Sequence, residues 1–225
     1  MKKIIVLLSV LFLTGLANAQ NAYTEHEIDV GIRQGDTLFS LFVGGATPMA
    51  ANAFNVDIND THEEMKWGKM GVQYGVSVFY FVHDFVGVGL EASGVNSTYA
   101  QKWIGNTQYK TATDLWNGMI LGRININPYQ PVRVYVPAGV GLTWARNRWE
   151  TNDGQESPIE KSLSYGYFVG LGIETNFRGK DKSIGLEVRY SGFGADLDNR
   201  LAGAIIREKN KLEYLSILLK LNYRF

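Results

Sequence analysis

Few residues in this chain are suited to reaction chemistry. There are three histidines, His26, His62 and His83, and no cysteine. None of the histidines is poised beside a strand-borne serine as a nucleophile–base pair requires, so no catalytic residue and no enzymatic activity are expected. Without cysteine there is no disulfide framework, no lipobox for acylation and no thiol chemistry. The segment DINDTHEEMKW (57–67) gathers Asp57, Asp60, His62, Glu63 and Glu64, and as a functional reading it could hold a divalent cation. Its spacing fits no EF-hand or zinc motif, and a solvated acidic loop is the plainer account. VGLG and VGVG contain G-x-G, but neither opens a helix as a nucleotide fingerprint requires. No metal ligand and no cofactor are assigned.

A second set of charges has a pattern. Glu91, Arg123, Glu174, Glu187, Arg189 and Lys220 each sit in a segment of alternating apolar and polar residues, on the polar side. EYLSILLKLNYRF (213–225) sets Leu215, Ile217, Leu219, Leu221, Tyr223 and Phe225 against Ser216, Lys220 and Asn222. Strict period-two alternation of this length is a strand with one apolar and one polar face. The same rule holds in GVQYGVSVFYF (71–81), FVGVGLEAS (85–93), VRVYVPAGVGLTW (132–144), LSYGYFVGLGIETNF (163–177) and SIGLEVRYS (183–191), and in the second half of WNGMILGRININ (116–127). An N-terminal strand completes a count of eight. HEIDVGIR (26–33) is favoured for it, with LFSLFVGGA (38–46) the alternative.

The connections alternate in length. VHD (82–84), NPYQP (127–131) and RGKDK (178–182) are tight turns, whereas roughly 34–66, 94–112, 150–161 and 195–210 are longer and polar. All tight turns therefore lie at one end and all long loops at the other, which is up-and-down barrel topology. The fold class is all-β, an eight-stranded antiparallel up-and-down barrel.

Such a barrel is either a soluble carrier with an apolar interior or a membrane barrel with an apolar exterior. MKKIIVLLSVLFLTGLANA (1–19) reads as a signal peptide, with cleavage expected before Gln20. The remaining 206 residues, the barrel domain 20–225, lose two lysines from an even balance and carry a formal charge of −2, which suggests no nucleic-acid partner. The polar strand faces hold Gly, Ser and Asn and few charges, as a narrow lumen would. The six charges named above lie at one height from the tight-turn end, joined by Asp29 if 26–33 is the first strand, where opposite signs can pair. They read as an internal salt-bridge cluster plugging the lower lumen. Aromatic residues gather at strand ends: Trp67, Trp103, Trp116, Trp144 and Trp149 toward the long loops, Tyr129, Phe177, Tyr223 and Phe225 toward the tight turns. Two aromatic girdles flanking an aliphatic band are what a bilayer with two interfaces demands. The apolar face points outward.

A signal peptide, eight amphipathic strands and a final Phe225 on an alternating strand together resemble the OmpA-type small outer-membrane barrels of Gram-negative bacteria, over essentially the whole mature chain. The resemblance implies an outer-membrane location and contact with outer-membrane lipid and lipopolysaccharide. It also implies recognition by the barrel-assembly machinery through Leu215, Ile217, Leu219, Leu221, Tyr223 and Phe225. Paired luminal charges are common in that family, as Glu187 and Lys220 would be here. No peptidoglycan-binding domain follows Phe225 in this sequence, so an anchoring role is not carried over. The expected function is structural or interactional, performed by a monomer with a plugged lumen; a small porin-like pore is the alternative. RNRW (146–149) places Arg146 and Arg148 at the outer rim, where they could grip lipid phosphate or simply anchor the rim.

Overall fold

The computed structural model describes residues 31–49, 53–58, 61–66, 71–104, 106–156, 159–176, 181–201 and 204–225. The signal peptide, His26, Asp29, Trp67 and Phe177 lie outside the described residues. Ten strands follow in order: β1 Thr37–Pro48, β2 Ala53–Ile58, β3 Thr61–Lys66, β4 Gly71–His83, β5 Val86–Ile104, β6 Thr107–Asn125, β7 Val132–Thr151, β8 Glu160–Asn176, β9 Lys182–Leu201 and β10 Ala204–Arg224. Eight of them, β1 and β4 to β10, form a closed antiparallel barrel in which each pairs with its chain neighbour and β10 closes onto β1. Phe39 stands opposite Tyr223 on one side and Val78 on the other. Closure leaves no unpaired backbone edge in the apolar band, the condition for β-structure in lipid. The short β2–β3 hairpin hangs on the upper part of β10 through Asp57–Ile205 and its neighbours.

Alternation decides which side chains face outward. Leu90, Ile120 and Val140 are 66%, 67% and 63% exposed, while Glu91, Met119, Leu121 and Gly139 beside them are buried. Trp116 and Trp144 are directly opposite one another on β6 and β7. Tyr74 packs edge-on to Trp116 at 6.0 Å. At the tight-turn end Phe85 meets Tyr129 at 6.0 Å, and Tyr223 meets Phe225 at 4.7 Å. From Ile126, just past the end of β6, up to Trp116 the outward residues are apolar or glycine, ~33 Å along an extended chain, which a tilt of ~40° reduces to the height of a bilayer core.

Three sequence expectations need correction. The first barrel strand is β1, Thr37–Pro48, not HEIDVGIR: Gly31, Ile32 and Arg33 are not in a strand. β1 was less legible because its inward face carries Leu38 and Phe42, both buried, so the run has little alternation. Residues 31–36 instead cross the tight-turn end. Ile32 N–H donates to the Pro128 carbonyl, Gly35 N–H to that of Phe81, and the Ile32 side chain is 1% exposed in a cluster with Leu38, Phe79, Phe81, Leu121 and Phe168. Gly35 turns the chain there with φ of +92°, the left-handed region that glycine enters freely.

Three of the four long polar segments are largely strand, whereas the described residues between Thr151 and Glu160 lie outside the strands, as expected. β5 continues to Ile104 and β6 begins at Thr107, β9 continues to Leu201 and β10 begins at Ala204, and Ala53–Ile58 and Thr61–Lys66 pair as β2 and β3, with Asp57 opposite His62. Above the bilayer both faces of a strand meet polar surroundings, so the apolar period disappears while the ladder persists. The girdle set also changes. Trp116 and Trp144 occupy it, but Trp103 lies opposite Gln108 beside the β5–β6 tip, far above, and Trp149 is wholly buried inside. Parity explains Trp149: it lies five positions after Trp144, an odd step, which places the two on opposite faces.

Candidate functional site

The charged residues on the polar faces meet inside the barrel. Arg123 of β6 donates to Glu174 of β8, Nη2 to Oε1 at 2.7 Å and Nη1 to Oε2 at 3.3 Å. Arg133 of β7, the direct cross-strand partner of Glu174, adds an Nε–Oε1 bond of 2.9 Å. Asn222 donates to the other oxygen at 2.9 Å. A second group joins β5, β9 and β10. Arg189 grips Glu91 with two bonds of 2.6 and 3.0 Å and Glu187 with two more of 2.9 and 2.7 Å. Lys220 Nζ reaches the far oxygen of Glu187 at 3.0 Å, and the Tyr135 hydroxyl donates to the same oxygen at 3.1 Å. In a ring of eight strands β5 and β9 are four apart, so the Arg189–Glu91 pair spans the lumen diameter.

All six residues read as luminal from the sequence are thus brought together, each at most 5% exposed. Arg133 belongs with them and was missed, although it stands on the polar face of its strand and parity points to it. Aromatic rings complete the layer. The guanidinium of Arg123 lies 3.8 Å from the Tyr135 ring centre, and that of Arg189 lies 3.7 Å from Phe168. Phe42 flanks both Arg189 and Lys220, at 5.3 and 5.7 Å. A cation stripped of water is stabilised by a ring face on one side and a carboxylate on the other.

Sequence places those rings by leaving space opposite them. Phe42 faces Gly75, Phe79 faces Gly89, Phe81 faces Gly87, Tyr135 faces Gly172 and Phe168 faces Gly139, each as a direct cross-strand pair. A Cβ at Gly172 would meet the Tyr135 ring, and one at Gly139 the Phe168 ring. These five glycines make room for luminal aromatics, a device of curved sheets.

Above the charges a neutral polar level at Asn117, an apolar level at Leu115 and Ala145, and a second polar level at Asn147 follow one another. Asn117 donates to Ser93 and accepts from Thr143, and Asn147 accepts from Thr111 and Thr113. Ala46, Val95, Leu115, Ala145, Phe193 and Tyr214 pack into a cluster at the apolar level. Below the charges, at the tight-turn end, Arg224 donates to the Gly31 carbonyl and faces Asp36 at 3.6 Å. In the turn beneath, Asp84 accepts from the Tyr129 hydroxyl at 2.5 Å and from Gln34 N–H at 2.6 Å. The Tyr129 donor, aided by Gln34, holds the Asp84 carboxyl below the usual carboxylate range.

His83 sits at this same end, its Nδ1 accepting from Phe85 N–H, remote from the charged layer. The alternating face of β10 points outward as expected, with Ile217, Leu219, Leu221, Tyr223 and Phe225 all exposed.

An eight-stranded closed barrel with an apolar outer band, aromatic girdles and an ionic interior defines an outer-membrane β-barrel. The sequence matches the outer membrane protein beta-barrel domain family over residues 5–225, and the chain belongs to that family. It lies in the cell outer membrane. No curated protein matches the sequence. Among solved structures it is similar to Ail, the attachment invasion locus protein of Yersinia pestis, at 14% identity and a TM-score of 0.46, covering 85% of this chain and 99% of that one. It is also similar to Neisserial surface protein A, at 12% identity and a TM-score of 0.47, covering 85% and 98%. A third is the outer membrane protein AlkL, at 17% identity and a TM-score of 0.44, covering 87% and 92%.

Proposed function

We propose that this protein is a non-enzymatic, monomeric outer-membrane barrel with a lumen sealed by paired charges, acting structurally or through its surface hairpins. What carries the reading is the Glu91–Arg189 pair bridging opposite walls, with both side chains almost fully withdrawn from solvent. An ion path needs charges that are hydrated or can rearrange. Here each carboxylate of the layer is held by at least one cation, and Arg189 alone makes four charge-assisted bonds. Residues 31–36 supply a second seal at the tight-turn end through Ile32 and Arg224. Lipid and lipopolysaccharide surround the apolar band, and the barrel-assembly machinery reads Ile217, Leu219, Leu221, Tyr223 and Phe225 during biogenesis.

Liposome swelling tests it. Vesicles carrying the refolded protein should swell in isotonic glycine or arabinose no faster than empty vesicles. Swelling at a porin-like rate would establish the small pore instead.

A further inference from the structure

The outer face of β6, β7 and β8 carries features that sealing the lumen does not use. Just above Trp144 the outward residues turn from apolar to charged. Arg146 and Lys161 are directly opposite one another on neighbouring strands, both exposed, and Arg148 follows one outward step higher, ~7 Å up the strand. Like charges directly opposite on one sheet face destabilise the pairing. Asp114, across from Arg146 on β6, offsets one of them, and the row above, Ala112–Arg148, has no acid in it. Immediately below, on the membrane side, an apolar groove opens to lipid. Ala92 and Gly118 line it beside Tyr74, Trp116, Trp144 and Leu163. A Cβ at Gly118 would meet nothing within 4 Å, so the groove is open at that point.

We propose that this shelf and groove form a seat for a phosphorylated saccharolipid of the outer leaflet. One acyl chain lies in the groove under the two tryptophans, and the phosphates rest on Arg146, Lys161 and Arg148. Charge complementarity selects the class. Two tiers of cations suit a rigid head group with more than one phosphate, whereas a glycerophospholipid offers a single phosphodiester. The long hairpins mark this end as the outer-leaflet side. The inference rests on the lipid contact proposed above and gives it an address.

The test is native mass spectrometry of the full chain released from phosphatidylcholine nanodiscs doped with bisphosphorylated lipid A, with dephosphorylated lipid A, or with phosphatidylglycerol. The protein should retain the bisphosphorylated form about tenfold over either of the others, since each surface cation contributes on the order of a few-fold to anionic lipid binding. Arg146→Glu with Lys161→Glu should abolish that preference, and Lys182→Glu, at the tight-turn end, should leave it intact. Folding of each variant is read from its gel mobility with and without boiling, and Arg146→Gln with Lys161→Gln makes the same test with less charge change. Preference kept in the double variant overturns the site while the lipid contact stands. No preference for phosphate in the unaltered protein overturns the seat and leaves lipid around the apolar band standing. Equal retention of phosphatidylglycerol overturns the saccharolipid assignment.

Discussion

Glu174 illustrates how tightly the interior is coupled. Its two oxygens serve Arg123, Arg133 and Asn222, with no water-exposed surface on the carboxylate. Glu174→Gln removes the charge that two buried guanidinium groups share. Breaking a buried pair from one side costs about 3–5 kcal/mol, so urea unfolding in lipid vesicles should move to a distinctly lower midpoint. An unchanged midpoint would mean that the lumen admits enough water to solvate Arg123. Gly172 makes a second residue-scale case. Gly172→Ala drives a methyl into the Tyr135 ring, and overpacking of this kind costs about 1–3 kcal/mol. The cost should shrink when Tyr135→Leu is present as well, because the obstruction is then gone. Equal costs in both backgrounds would separate the glycine from the ring.

At the scale of the strand, parity was the most legible signal. It places Glu187 and Lys220 inside and Leu219 and Tyr223 outside, as found. The same rule reaches Arg133, Phe79 and Phe81, which lie in register with recognised luminal neighbours, and it moves Trp149 off the girdle. What parity could not reach were segments where the two faces meet the same surroundings. β1 turns Leu38 and Phe42 inward and Leu41 and Val43 outward, so its period is blurred. The upper halves of β5, β6, β9 and β10 stand clear of lipid, so an extended hairpin reads as a polar loop. Contacts such as Ile32 with Pro128 depend on how a non-repeating segment folds across the barrel, and no local pattern encodes that. The lipid-facing assignment is open to mutation. Leu219→Arg puts a charge on the outer face within the apolar band, at ~2–4 kcal/mol near the midplane, and should sharply reduce the membrane-inserted fraction. Lys220→Arg, one residue along and facing Glu187, should insert normally. Equal insertion of both would contradict the face assignment.

At the scale of the molecule, the barrel is a stack of layers. The segment with Ile32 crosses the tight-turn end, charges clamped between aromatic rings lie at the level above it, and an apolar cluster between two levels of hydroxyl and amide groups occupies the upper interior. The wall keeps one outward band for lipid and then rises as paired strands beyond it. Under the function proposed above, the hairpins and the outer rim are the surfaces on which other molecules act, and the packed interior is the scaffold that holds them. Single-channel recording of the refolded protein in planar bilayers tests the sealed interior most directly. The account predicts no discrete conductance steps at moderate voltage of either sign. Reproducible steps that vanish when Arg189 is replaced by a neutral residue would contradict it, since the charged layer would then line a path for ions.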